Sequence, residues 1–98
     1  MRLTSFEREN IKKTFYKLFE NGKVYLFGSR VDDLKRGGDI DLYIELESQL
    51  PIKEEMHLKS KFRLALYELI GEQKIDVVIA KDKNRAIEQE ILNTRILL

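Results

Sequence analysis

Residues 24–46 hold the feature that most limits how this chain can fold. An apolar run, Val-Tyr-Leu-Phe, stops at Gly28-Ser29, and after nine intervening residues Asp39 and Asp41 open a second run that continues Ile40, Leu42, Tyr43, Ile44. Side chains alternate along a strand, so Asp39 and Asp41 leave one face about 7 Å apart along the backbone, while Ile40, Leu42, Ile44 and Leu46 point to the other. A glycine turn ending the first strand meets acids beginning the second only if the two strands are antiparallel. Residues 74–80 read as a third strand, with Ile75, Val77 and Ile79 toward the core and Asp76 alone on the opposite face near the strand's start. Asp76 can therefore join Asp39 and Asp41.

The intervening segment supplies the connection. Leu58, Phe62, Ala65, Leu66 and Leu69 repeat at helical spacing over 52–70, and Gly71 is placed to end that helix. Strand, helix, strand predicts a right-handed crossover with the third strand parallel to the second. Before the first strand, Thr4 with Glu7 three residues on matches a capping box, and Ile11, Phe15, Leu18 and Phe19 mark an amphipathic helix. Residues 84–94 read as a short last helix, followed by the apolar end Ile96-Leu97-Leu98. That end either closes the domain's own core or offers a patch to another chain, and we expect the helix to dock inward with the last residues partly available. The expected fold class is α/β (α+β): a three-stranded mixed sheet with helices packed on one face and a cleft on the other.

Ninety-eight residues suit one domain, 1–98. With 18 basic against 17 acidic side chains the net charge is +1, which supplies no general attraction to nucleic acid. A nucleic-acid channel would also need a basic groove and aromatic stacking platforms, which are missing, so a DNA-directed polymerase is not the expectation. The chain has no cysteine, which excludes disulfides and thiolate metal sites. No apolar run approaches the roughly 20 residues of a membrane span and the start lacks the apolar centre of a signal peptide, so a cytoplasmic location is expected.

Three carboxylates from two strands, facing a glycine-serine turn, suit metal-dependent phosphoryl or nucleotidyl transfer. Magnesium takes carboxylate and phosphate oxygens, and backbone N–H groups of a short helix opening near Ser29 would face a phosphate. Each part alone is weak: Gly-Ser is a common turn, Asp-x-Asp also suits an exposed strand edge or a calcium site, and Asp76 alone suits a salt-bridged strand residue. The conjunction carries the reading. Lys35 and Arg36 fit a solvated turn better than a ligand contact. Tyr43 and Glu45 share the Asp39 and Asp41 face, and either touch a nucleotide or are simply surface residues. His57 has no partner in the pattern and receives no role.

These residues resemble the DNA polymerase beta-like nucleotidyltransferases, and among them the minimal nucleotidyltransferases that serve as antitoxins of HEPN/MNT systems. The family's hydrophobic-Gly-Ser turn corresponds to Leu26-Phe27-Gly28-Ser29, its Asp-x-Asp strand to Asp39-Ile40-Asp41, and its third acid to Ile75-Asp76-Val77. The likeness covers almost the whole chain. It implies two Mg²⁺ ions on the catalytic Asp39, Asp41 and Asp76, with Gly28, Ser29 and Arg30 at the triphosphate of a nucleotide, usually ATP. It also implies transfer of AMP, with release of pyrophosphate, to a hydroxyl of a partner protein. That partner would be a HEPN-type toxin modified on a tyrosine. Many minimal members follow the turn with Arg-Ala-Arg-Gly, whereas this chain has Arg30-Val31-Asp32-Asp33, so one arginine is kept and two acids are added. Larger relatives carry extra domains for the acceptor. Here a partner is expected to present it, in a homo- or hetero-oligomer. The alternative is an interaction protein of weak or no activity that neutralises its partner by binding.

Overall fold

A computed structural model of the chain describes residues 1–32, 34 and 38–98; Asp33, Lys35 and Arg36 lie outside the described residues. The fold begins at Thr4, whose hydroxyl accepts from the Glu7 N–H while the Glu7 carboxylate accepts from the Thr4 N–H, each at 3.0 Å. This reciprocal cap opens α1 (Ser5–Leu18). Then follow β1 (Lys23–Phe27), a 3₁₀ turn (Gly28–Val31), β2 (Ile40–Glu45), α2 (Ile52–Ile70), β3 (Ile75–Ile79), α3 (Ala86–Thr94) and β4 (Ile96–Leu97).

The sheet order is β3-β2-β1-β4. β1 and β2 are antiparallel, and β2 and β3 are parallel, joined by α2 as parallel neighbours require. The fourth strand corrects the expected count of three. Tyr25 pairs with Leu97 and Leu26 with Ile96, and the Leu98 N–H donates to the Val24 carbonyl at 3.0 Å. The physical reason is the free edge of β1, whose backbone groups find partners in this apolar end. Leu98 is buried in the core while Leu97 is half exposed.

One face of the sheet carries the main core. Ile11, Phe15 and Phe19 of the α1 region and Phe62 and Leu66 of α2 pack over Val24, Leu26, Ile40, Leu42, Ile44, Ile75, Val77 and Ile79. Phe62 meets Phe15 and Phe19 edge-to-face, with ring centroids 6.5 and 5.9 Å apart. Such pairs add about 1 kcal/mol each to the burial itself.

α3 lies on the other face, where Ile91 packs on Tyr25 and Tyr43. Ile87, near its start, borders the space beside Asp41 and Asp76. Tyr43 and Glu45 are structural, not surface residues or nucleotide contacts. Tyr43 is fully buried and its hydroxyl donates to Glu88 Oε1 at 2.8 Å. Glu45 accepts from Arg95 at 2.9 Å and pairs with Lys83 at 3.4 Å, and the Arg95 guanidinium lies 3.8 Å over the Tyr25 ring. Among the described residues no helix is long and apolar enough to cross a membrane.

Candidate active site

The strand register builds the site. Phe27 of β1 stands opposite Asp41 of β2, and Asp41 stands beside Asp76 of β3. Three adjacent strands thus bring the end of the glycine turn and two acids into one row, at a spacing of about 4.8 Å per strand. Gly28 continues this row: a Cβ there would run into the Asp41 carboxylate, and its φ of +78° is a conformation that glycine adopts without strain. Glycine is needed here both for the turn and for the close approach of backbone to acid.

Charge is crowded at the centre. Burial, then the neighbouring Asp76 and Asp39 carboxylates, push the Asp41 carboxyl up to about 6, against a smaller opposing effect of Lys74. Asp76 is exposed at the rim. Asp39 is turned to Lys74, whose Nζ lies 3.3 Å from its Oδ2. Lys74 stands two residues before Asp76 just as Asp39 stands two before Asp41, so the parallel register brings the two together. Sequence reasoning missed Lys74; its parity with Asp76 was the available signal.

Ser29 sits at the first turn of the 3₁₀ segment, with its hydroxyl against Gly38, whose φ of +88° lets the backbone pass that close. Arg30, expected at a phosphate, engages protein groups. Its Nε donates to the Gly38 carbonyl at 3.4 Å, Nη1 to the Arg2 carbonyl at 3.0 Å and Nη2 to Gln73 Oε1 at 3.4 Å, with Glu7 4.0 Å away. The guanidinium is taken up by protein acceptors because three separate segments converge on it, and a buried fork of donors needs them. Arg2, which the sequence did not single out, answers it: Nη2 donates to the Ser29 carbonyl at 3.0 Å and Nε to the Asp32 carbonyl at 3.1 Å. The glycine-serine turn is therefore clamped from the chain's start. Glu7, cap of α1, also accepts from Gln73 at 2.8 Å and so ties the clamp to the segment leading into β3.

The donor set suits a hard divalent cation, since carboxylate oxygens crowded on adjacent strands are the ligands such an ion takes and their mutual repulsion is relieved by it. Asp41 and Asp76 stand ready for it. Among the described residues no group of three or more potential ligands is assembled, and Asp39 would have to exchange Lys74 for the ion.

One cavity borders the glycine turn and another borders the acids. One, of about 450 Å³, lies between the glycine turn and α3 and is bounded by Phe27, Gly28, Asp32, Ile87, Glu90 and Ile91. The other, of about 430 Å³, lies on the β3 side and is bounded by Phe27, Asp41, Asp76, Lys59, Arg63 and Ile87.

Comparison with known proteins agrees with this fold. A crystal structure of the toxin-antitoxin pair MntA-HpeT, in a mutant form with two aspartate-to-glutamate substitutions, contains a chain of similar fold. The TM-score is 0.65 with 19% identity, over 93% of this chain and 70% of that one. No curated protein gives a significant sequence match. The family described as polymerase beta, nucleotidyltransferase matches residues 9–98, a span that includes the turn, all three acids and every strand. The chain belongs to the polymerase beta nucleotidyltransferase family.

Proposed function

We propose that the 98 residues form one minimal nucleotidyltransferase domain that transfers AMP from ATP to a hydroxyl of a partner protein, with release of pyrophosphate, in the cytoplasm. The observation that carries this reading is the row Gly28, Asp41, Asp76, in which a turn open to phosphate adjoins a crowded acid pair. Asp41 and Asp76, with Asp39 released from Lys74, would hold Mg²⁺, and two ions are the proposed number. Bound there, magnesium neutralises phosphate oxygens and lowers the pKa of the attacking hydroxyl.

The chain's own residues then divide the work. Gly28 and Ser29 receive the triphosphate through backbone N–H groups that no side chain blocks. Arg30 and Arg2 act on the nucleotide by holding that turn, not by direct contact. The acceptor oxygen attacks the α-phosphorus, the bond from that phosphorus to the bridging oxygen breaks, and the hydroxyl proton passes to Asp76. The similar chain in a toxin-antitoxin pair supports a toxin as the partner, and the resemblance to minimal nucleotidyltransferases makes it a HEPN-type protein with a tyrosine acceptor.

A second reading draws on the Lys74–Asp39 ion pair, which holds one acid away from a metal. In it the domain neutralises its partner by binding alone. The two are separated by incubating the chain, its Asp41→Asn variant and a candidate HEPN partner with ATP and magnesium, then locating modified residues by mass spectrometry. Adenylylated partner with wild type and none with the variant is the expected result. An unmodified partner whose toxicity both forms suppress equally would favour binding alone.

A further inference from the structure

The cavity on the β3 side holds two cations that the site as described does not use. Lys59 and Arg63 stand one helical turn apart on α2, both half-buried, and both border the space that Asp41 and Asp76 border. Among the described residues neither forms an ion pair or a hydrogen bond. Most other half-buried charges here are engaged: Arg30 by four partners, Arg95 by Glu45, Glu7 by Thr4 and Gln73. Half-buried cations left unpaired beside an acid site are placed for an anion that arrives from outside.

Their side of the site says which anion. Gly28 lies on the β1 side of Asp41, and Asp76 on the β3 side. In-line displacement puts the leaving group and the attacking group on opposite sides of the reacting phosphorus. With the leaving pyrophosphate toward Gly28, the attacking hydroxyl comes from the Asp76 side, where Lys59 and Arg63 stand. The anion therefore travels with the acceptor. The same cavity is walled by Phe27, Val77, Val78 and Ile87, an apolar setting with two cations. This fits a hydrophobic side chain flanked by a carboxylate; a polynucleotide would need a longer basic track and stacking rings.

Resting on the nucleotidyl-transfer reading above, we infer that Lys59 and Arg63 form an acceptor subsite that selects a hydroxyl-bearing protein segment with an acidic residue next to the hydroxyl. They are specificity residues for the acceptor and take no part in holding the nucleotide.

The test uses the whole chain with three synthetic tyrosine peptides that differ only in having Asp, Asn or Lys beside the tyrosine. Binding is read by fluorescence anisotropy, and AMP transfer from ATP with magnesium by mass spectrometry. Wild type should bind and modify the Asp peptide about tenfold better than the Asn peptide. Lys59→Ala with Arg63→Ala should erase the preference, Lys59→Glu with Arg63→Glu should turn it toward the Lys peptide, and calorimetric affinity for magnesium-ATP should stay the same. A reversed preference cannot come from a misfolded variant. Equal treatment of the three peptides by wild type overturns the inference. So does a parallel loss of magnesium-ATP affinity, or a stronger Lys59- and Arg63-dependent preference for a short oligoribonucleotide with a free 3′ hydroxyl. If no peptide is modified while the Asp preference in binding persists and depends on the pair, the transfer reading fails and the subsite stands.

Discussion

A methyl group at residue 28 would have to share space with the Asp41 carboxylate, on backbone that L residues rarely adopt. Gly28→Ala is therefore expected to cost about 1–3 kcal/mol of stability and to lower nucleotidyl transfer about 100-fold by displacing either the turn or the acid. Urea unfolding and a transfer assay check the two effects separately, and a fully active variant would mean that the contact is dispensable. Asp41 itself carries a pH signature. Its ordinary value of 3.8 is raised to about 6 in the folded chain, so between those values the folded state holds the extra proton and stability falls as pH rises through the window. In the absence of divalent cations, Asp41→Asn should be the more stable form at pH 7.5, by about 1 kcal/mol once solvent screening is allowed for. The advantage should shrink toward pH 4. Denaturant midpoints at the two pH values decide this, and an unchanged difference would show that Asp41 is not crowded.

Among the elements, α3 is held by a buried carboxylate in addition to the packing of Ile91. Glu88 is fully buried, accepting from the Tyr43 hydroxyl at 2.8 Å, from the N–H of Asp82 at 2.9 Å and of Lys81 at 3.1 Å, with Arg85 3.3 Å away. Burial alone would raise its carboxyl, but these donors together keep it below the ordinary value. With a lowered folded value, its contribution is complete above the ordinary value of 4.5 and is lost as pH falls through the folded value. Glu88→Gln should cost about 2 kcal/mol at neutral pH, since an amide puts a donor where backbone N–H groups already point, and Tyr43→Phe about 1 kcal/mol. Thermal melts at pH 7 and pH 4 should show the Gln penalty shrinking in acid; a constant penalty would rule out the charged acceptor. On the opposite face Phe62 plays the corresponding part by joining α2 to α1, and Phe62→Ala should cost about 3–5 kcal/mol in the same melts.

For the molecule as a whole, the acids and the phosphate turn work only together, and cations decide whether they can. Asp39, Asp41 and Asp76 repel a triphosphate until a divalent ion neutralises them. Titration calorimetry should therefore give ATP binding with magnesium that weakens at least about tenfold with a chelator. Equal affinity in both conditions would remove the metal from the proposed reaction. The clamp of Arg2, Arg30, Glu7 and Gln73 makes this a property of the whole chain, because it ties α1, the glycine turn and the approach to β3 into one support.

The elements and the facing of their residues were legible in the sequence, because periodicity, capping and glycine act over a few neighbouring positions. Thr4 and Glu7 announce α1, Gly71 ends α2, and alternation alone puts Asp39, Asp41 and Asp76 opposite the core residues Ile40, Leu42 and Val77. The antiparallel and parallel directions of the strands followed from topology rules applied to that pattern, whereas the register of Phe27 with Asp41 and of Asp41 with Asp76 is read from the fold. Only the tertiary structure decided who stands beside whom across long separations. Lys74 meets Asp39, Arg30 spends its donors on Arg2, Gly38 and Gln73, α3 buries Tyr43, and the apolar end becomes a fourth strand. The reason is that charged forks and free backbone groups have no preferred partner locally. They are satisfied by whatever acceptor or edge the completed sheet brings near, and that is settled by register and packing between segments far apart in the chain.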